Sequence, residues 1–245
     1  GVSESTVVRF AIELGFSGYP SLQKSLQELI KNKLTTVQRL DLSNDYICNG
    51  YTLKGVLKSD MENIRATMEK INYSTFEDVV NNIFEAKRIY IIGLRSSMAL
   101  AEFLGFYLNV ILQNVKTVGY GISDIFEEMI NIGEGDLVIG IGFPRYANRT
   151  IDVLSFAQNR GATIVALTDS IISPLAQRAD YALIVQSNMA SFVDSLVAPL
   201  SVINALLIAV GLRQKESVST TFNSLEEIWK EYNVYSYNHN NDDEF

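Results

Sequence analysis

From Arg88 onward, five apolar runs alternate with stretches of helical periodicity: IYIIG (89–93), KTVGY (116–120), DLVIGIGF (136–143), ATIVALTD (162–169) and YALIVQ (181–186). The runs are rich in β-branched residues and lack the polar alternation of a strand with one wet face. Strands that are apolar on both sides need cover on both sides. Helices lying between successive strands supply it when the strands run parallel. The expected core is therefore an α/β fold of three layers, a parallel five-stranded sheet flanked by helices. The helical patterns are SSMALAEFLGFYLNVILQ (96–113), ISDIFEEMINI (122–132), TIDVLSFAQNR (150–160) and SPLAQRA (173–179). Right-handed crossovers put the loops that follow the strands along one edge, where open sheets of this kind hold their ligands.

With 245 residues, 47% of them hydrophobic, there is room for one large core and a smaller module. The single cysteine, Cys48, cannot form an internal disulfide, which fits a reducing, cytoplasmic setting. The opening GVSES does not resemble a signal peptide. Residues 193–212 (VDSLVAPLSVINALLIAVGL) have the length of a membrane span. Asp194, Pro199, Ser201 and Asn204 interrupt them, so a buried or dimer-forming helix is expected, and no membrane partner. The net charge of −8 argues against a whole-protein affinity for nucleic acid. Residues 1–40, however, carry five Lys/Arg against three Glu, a net +2 that leaves −10 on the remaining 205.

That N-terminal stretch reads as two short helices joined by LGFSGYP. Ser3 is a fitting N-cap for a helix over Ser3–Leu14 with apolar positions Val7, Phe10, Ala11 and Leu14, and Gly15 a fitting stop. The second helix starts near Pro20 and is expected to bury Leu22, Leu26, Leu29 and Ile30. Leu53, Val56, Leu57, Met61, Ile64 and Met68 mark a connecting helix within 45–72, and another runs from Thr75 to Ala86. The tail NHNNDDEF is expected to be disordered.

GVSESTVVRFAIELGFSGYPSLQKSL resembles the second half of the helix-turn-helix domain of RpiR-type bacterial transcription regulators. RIYIIGLRSS, GDLVIGIGF, RGATIVALTDS and SFVDSLVAPLSVINALL resemble the sugar isomerase (SIS) domain that follows it. The resemblance implies a regulator, commonly a homodimer or homotetramer, whose N-terminal module (1–44) reads operator DNA. A connecting helix (45–74) would lead to an SIS domain (75–235) that senses a phosphorylated sugar, followed by the tail (236–245). Ser3, Ser5, Thr6 and Arg9 are then the DNA-binding candidates, Arg9 on a phosphate. Only the recognition helix and the helix after it match, so the chain as it stands is expected to bind an operator poorly.

The stretch IGFPRYANRT (141–150) departs from the family. Where members commonly present Ser-x-Ser-Gly-x-Thr to cup a phosphate, counting back from Arg160-Gly161-Ala162 puts Gly142, Phe143, Pro144, Arg145, Tyr146 and Ala147. The hydroxyls are lost and Pro144 removes an amide donor, but Arg145 brings two parallel charged donors that can hold an anion by another route. Tyr146 is a candidate to stack on a sugar face or to donate its hydroxyl, and Asn148 opens the next helix. The other half of the expected pocket is GLRSS (93–97), with Ser96 and Ser97 as hydroxyl donors and Arg95 in a position the family usually gives to Gly. Two arginines on one edge imply a strongly anionic ligand, unless one of them pairs with Asp124 or Glu128.

An enzyme would need a base. The only histidine, His239, lies in the tail, and Glu102, Asp124, Glu127 and Glu128 sit on helical stretches that are ordinarily surface. No metal-ligand spacing, GxSxG or Walker pattern occurs, and no cofactor is expected. A sensor is therefore the preferred reading. The alternatives are a dimerisation scaffold whose ligand site has decayed and, behind it, a sugar-phosphate isomerase.

Overall fold

A computed structural model describes residues 3–23, 26, 35–40, 52–119, 121 and 123–236. Cys48, His239, Leu29, Ile30 and the tail lie outside the described residues. Helix α1 (Glu4–Glu13) begins at Ser3, whose Oγ accepts the Thr6 amide at 3.3 Å, and ends before Gly15 at φ 85°. Residues 19–23 and 26 are helical, as are 36–40. Ala11 and Leu22 are buried as the periodicity predicts, but Phe10 (57% exposed), Leu14 and Leu26 are not covered within the single chain.

Helix α2 (Thr52–Lys70) leads into α3 (Tyr73–Glu85), capped by Asn72 through the Thr75 amide. Then β1 (Ile89–Gly93), α4 (Met98–Leu112), β2 (Val115–Val118), α5 (Ile125–Glu128), β3 (Leu137–Ile141), α6 (Asn148–Gln158), β4 (Thr163–Thr168) and β5 (Tyr181–Ile184) follow. Helices α7 (Val197–Arg213) and α8 (Lys215–Glu231) follow β5. Two of the expected helices are shorter than their patterns: α5 is a single turn, and SPLAQRA forms only a 3-10 turn over Ala176–Arg178. Helix α8 has no counterpart among the sequence expectations.

The five strands are all parallel, in the order β2-β1-β3-β4-β5, with Ile89 opposite both Val115 and Leu137. Successive side chains point to opposite faces. Ile91, Ile139 and Val165 pack with Val80 of α3, Leu104 of α4 and Ile203 of α7. On the other face, Tyr90, Ile92, Val138 and Ile164 pack with Ile125 and with Val153 and Leu154 of α6. Every residue of β1 and β3 is buried, which is why their sequences are apolar without alternation, while the edge strand β2 leaves Lys116 exposed. Helix α4 lies close on the sheet because Gly105 permits it: a Cβ there would stand 2.0 Å from Thr117 Oγ1.

The two apolar helices α4 and α7 are both accommodated in one layer of a single chain, so their composition alone does not demand a partner. Among the described residues no single helix is long and apolar enough to cross a membrane.

Candidate functional site

The strand order reverses between β1 and β3, each leading to a loop on the same carboxyl edge, and the gap between those loops is the natural ligand crevice of such a sheet. The loop after β1 is a tight 3-10 turn, Arg95–Ser97. Gly93 makes it possible, since a Cβ on Gly93 would come within 2.5 Å of the Ser97 carbonyl oxygen. Arg95 sits at φ 59°, the left-handed region that favours glycine and costs another residue about 1 kcal/mol. This accounts for the Gly usual at that position and turns the exposed Arg95 side chain out at the rim. Ser96 donates its hydroxyl to Asp194 Oδ2 at 2.5 Å, whereas Ser97 is buried at the start of α4.

The loop after β3 begins with Gly142, whose amide donates to the Leu167 carbonyl at 3.1 Å, and Phe143, buried in the core beneath. Phe143, a variable position of the family pattern, serves packing, and the three lost hydroxyls fall on Gly142, Pro144 and Ala147. After Pro144, Arg145 is exposed and its Nη1 donates to Thr36 Oγ1 at 3.1 Å. Tyr146 turns inward and donates its hydroxyl to Asp169 Oδ1 at 2.6 Å. Burial first, and then the bond to Asp169, push the tyrosine far above its ordinary value, so it keeps its proton. Burial also raises Asp169, against the opposing effect of the Tyr146 hydroxyl. The phenol proton expected for a ligand is thus already committed. Asn148 is exposed on the first turn of α6, whose N-cap residue Ala147 offers no side-chain bond.

Neither candidate arginine pairs with the carboxylates weighed as partners. Asp124 binds Arg149, which also lies over Phe126 at 4.5 Å, and Glu128 faces Lys116 at 3.2 Å. Asp124 and Glu127 form the capping box of α5, so with Glu128 three of the four carboxylates considered for catalysis have structural partners, and Glu102 is exposed on α4. Gly119, Gly121, Ser123, Asp124, Ile125 and Arg149 line a cleft of about 170 Å³ beyond β2. Among the described residues no three His, Cys, Asp or Glu side chains converge to hold a metal ion.

Residues from outside the loops after β1 and β3 complete the edge, and nothing in their local sequence ties them to it. The helical segment 36–40 lies across it. Thr36 holds Arg145, and Arg39, only 7% exposed, donates to Met189 Sδ at 3.1 Å. Burial and the nearby Arg145 lower the Arg39 pKa, while Asp194 raises it.

The loop after β5, which carries Met189 and Asp194, is fastened to α2. Asn63 donates from Nδ2 to the Asn188 carbonyl at 2.9 Å and accepts the Asn188 amide at 3.1 Å. Thr67 Oγ1 accepts the Gln186 amide, and Ser195 donates to Asp60 at 2.6 Å. The connecting helix is thus bonded to a loop of the crevice. At the far end of the chain, Ser5, Thr6 and Arg9 are exposed on α1, while the Ser3 hydroxyl is engaged in the cap.

A family model described as SIS domain matches residues 82–209. An uncharacterized HTH-type transcriptional regulator of Haemophilus influenzae is 29% identical over 188 residues, 75% of this chain; the chain spans 64% of that protein's length. The crystal structure of the sugar isomerase domain of an RpiR transcription factor from Sphaerobacter thermophilus superposes with a TM-score of 0.69 at 29% identity, covering 72% of this chain and 99% of that one. The Vibrio vulnificus NanR protein complexed with ManNAc-6P shares the fold at a TM-score of 0.62 and 18% identity, over 94% of this chain and 82% of that one. The matched span contains the whole sheet and both crevice loops, and the chain belongs to the SIS-domain family, bearing out the resemblance to RpiR-type regulators.

Proposed function

We propose that the chain is a cytoplasmic, sugar-phosphate-responsive transcription regulator. In this reading residues 1–44 serve operator DNA, 45–74 connect and 75–235 sense the ligand. The observation that carries the reading is Arg145: a guanidinium on the loop after β3, at the point where strand order reverses, held by Thr36 from the N-terminal side. In this reading Arg95, Ser96, Ser97, Gly142 and Asn148, on the loops after β1 and β3 and the first turn of α6, serve the ligand, and Tyr146 supports the loop through Asp169. The relatives support the assignment, one an HTH-type regulator and another a protein complexed with a phosphorylated amino sugar. Ser3, Ser5, Thr6 and Arg9 are the proposed DNA contacts.

Helix α2 supports a homodimer as the working state. Leu53, Leu57, Met61, Ile64 and Met68 form one stripe, of which Leu53 is 73% and Met61 69% exposed. Ile64 and Met68 of the stripe line an apolar groove of about 490 Å³ shared with α3 and α7, and an exposed apolar stripe of this kind marks an interaction surface, here for a second copy of the chain.

The test is thermal stability of the full chain against sugar phosphates, each paired with its free sugar. A ligand bound only by the folded state raises the midpoint, by about 2.7 kcal/mol of stability at a hundredfold excess over Kd. Stabilisation by a phosphorylated sugar, lost in Arg145→Ala, supports the sensor. No shift with any of them favours the scaffold, and turnover of a bound sugar phosphate would make it an isomerase.

A further inference from the structure

One donor that suits an anion in the crevice is already engaged with one. Ser96 gives its hydroxyl to Asp194, and Asp194 also lies close enough to the buried Arg39 to stabilise its charge. The carboxylate comes from the β5–α7 loop, 98 residues away from Ser96, and that loop is tied to α2 at Asn63, Thr67 and Asp60. Arg39 and Thr36 come from the segment before α2.

We propose that Asp194 is a built-in stand-in for the ligand's anionic group: it takes the Ser96 hydroxyl until a phosphate, drawn by Arg39 and Arg145, displaces it, and its expulsion loosens the β5–α7 loop from the connecting helix. This rests on the reading of the crevice as an anion site and adds how occupancy is communicated.

Three physical points favour exchange over joint binding. A serine hydroxyl has one proton and donates one bond at a time, so Asp194 and a phosphate compete for Ser96. A second anion placed beside the carboxylate is repelled in a partly buried setting, where screening is weak. A phosphate also offers three acceptor oxygens and close to two negative charges against the two oxygens and one charge of Asp194. It can engage Arg145 and Arg39 together, easing the repulsion between these like charges. Asp194 is joined directly to Ser195, so its departure from Ser96 strains the Ser195–Asp60 bond first.

Inorganic phosphate is the probe, titrated calorimetrically into the full chain, wild type and the variants Asp194→Asn, Arg39→Gln and Arg145→Ala. Asp194→Asn is expected to bind phosphate at least about fivefold more tightly than wild type, the low end of the range for coupled sites, and Arg39→Gln at least about fivefold more weakly. If Asp194→Asn binds equally or more weakly, Asp194 is no competitor and the proposal falls. Loss of binding in Arg145→Ala with Asp194→Asn and Arg39→Gln unchanged sinks this inference while sparing the anion site. Absence of binding in wild type and in Asp194→Asn alike overturns both. Amide exchange on the wild type needs no substitution: phosphate should speed exchange at Gln186 and Asn188, whose amides bond to α2, and unchanged or slower exchange there refutes the loosening.

Discussion

Replacing Asn63 by alanine tests the fastening of the connecting helix to the crevice loop. The side chain is 1% exposed and bonds the Asn188 backbone at both its carbonyl and its amide. Truncation removes two hydrogen bonds from groups that pair nowhere else in the described contacts. Leaving a buried partner unsatisfied costs about 1–3 kcal/mol per group. Asn188 is itself an exposed residue, so water reaches its backbone and the low end applies, about 2 kcal/mol for the pair. With an unfolding entropy of about 2.1 cal/mol/K per residue, a chain of 245 residues loses about 4 °C of Tm for that free energy. Differential scanning calorimetry measures it, with Asn63→Asp as the companion. Aspartate keeps the acceptor for the Asn188 amide but turns an oxygen toward the Asn188 carbonyl, so it should destabilise at least as much. A fall of less than about 1 °C in Asn63→Ala would refute the reasoning, because the Asn188 backbone would then be equally well satisfied by solvent.

Met61→Glu puts a charge in the middle of the exposed α2 stripe, and sedimentation equilibrium should show two associated chains becoming one with the Tm of the monomer little changed; an unaltered mass would move the interface elsewhere. Burial raises the Asp169 pKa, so its folded value lies above its unfolded one. The stability it contributes is fully present below the unfolded carboxylate value and is lost as pH rises through the raised folded value. Asp169→Asn should therefore flatten the decline in urea stability on raising the pH through that window, and an equally steep decline in the variant would assign it to other groups.

The sheet was legible because strands covered on both faces must be apolar throughout, so β1 and β3 could be read without any partner residue. The crevice was half legible for a related reason. Arg95, Ser96 and Arg145 directly follow strands, and chain order alone brings them to one edge. Thr36 and Arg39 reach that edge across more than a hundred residues, and Asp194 arrives on a loop whose sequence, SNMASFVDS, carries no pattern tied to a crevice. Nor does sequence give side-chain direction: Tyr146 follows Arg145 immediately, yet one is exposed at the rim and the other turns in to Asp169. What escaped the sequence is thus the part contributed by the N-terminal segment and by the loop bonded to α2. Those are the pieces a sensor must have at its ligand site if occupancy is to alter the arrangement of its DNA-binding arms. An effector acts only through contacts that differ between two states, and the bonds of these pieces to Arg145, Ser96 and α2 are where such a difference can arise.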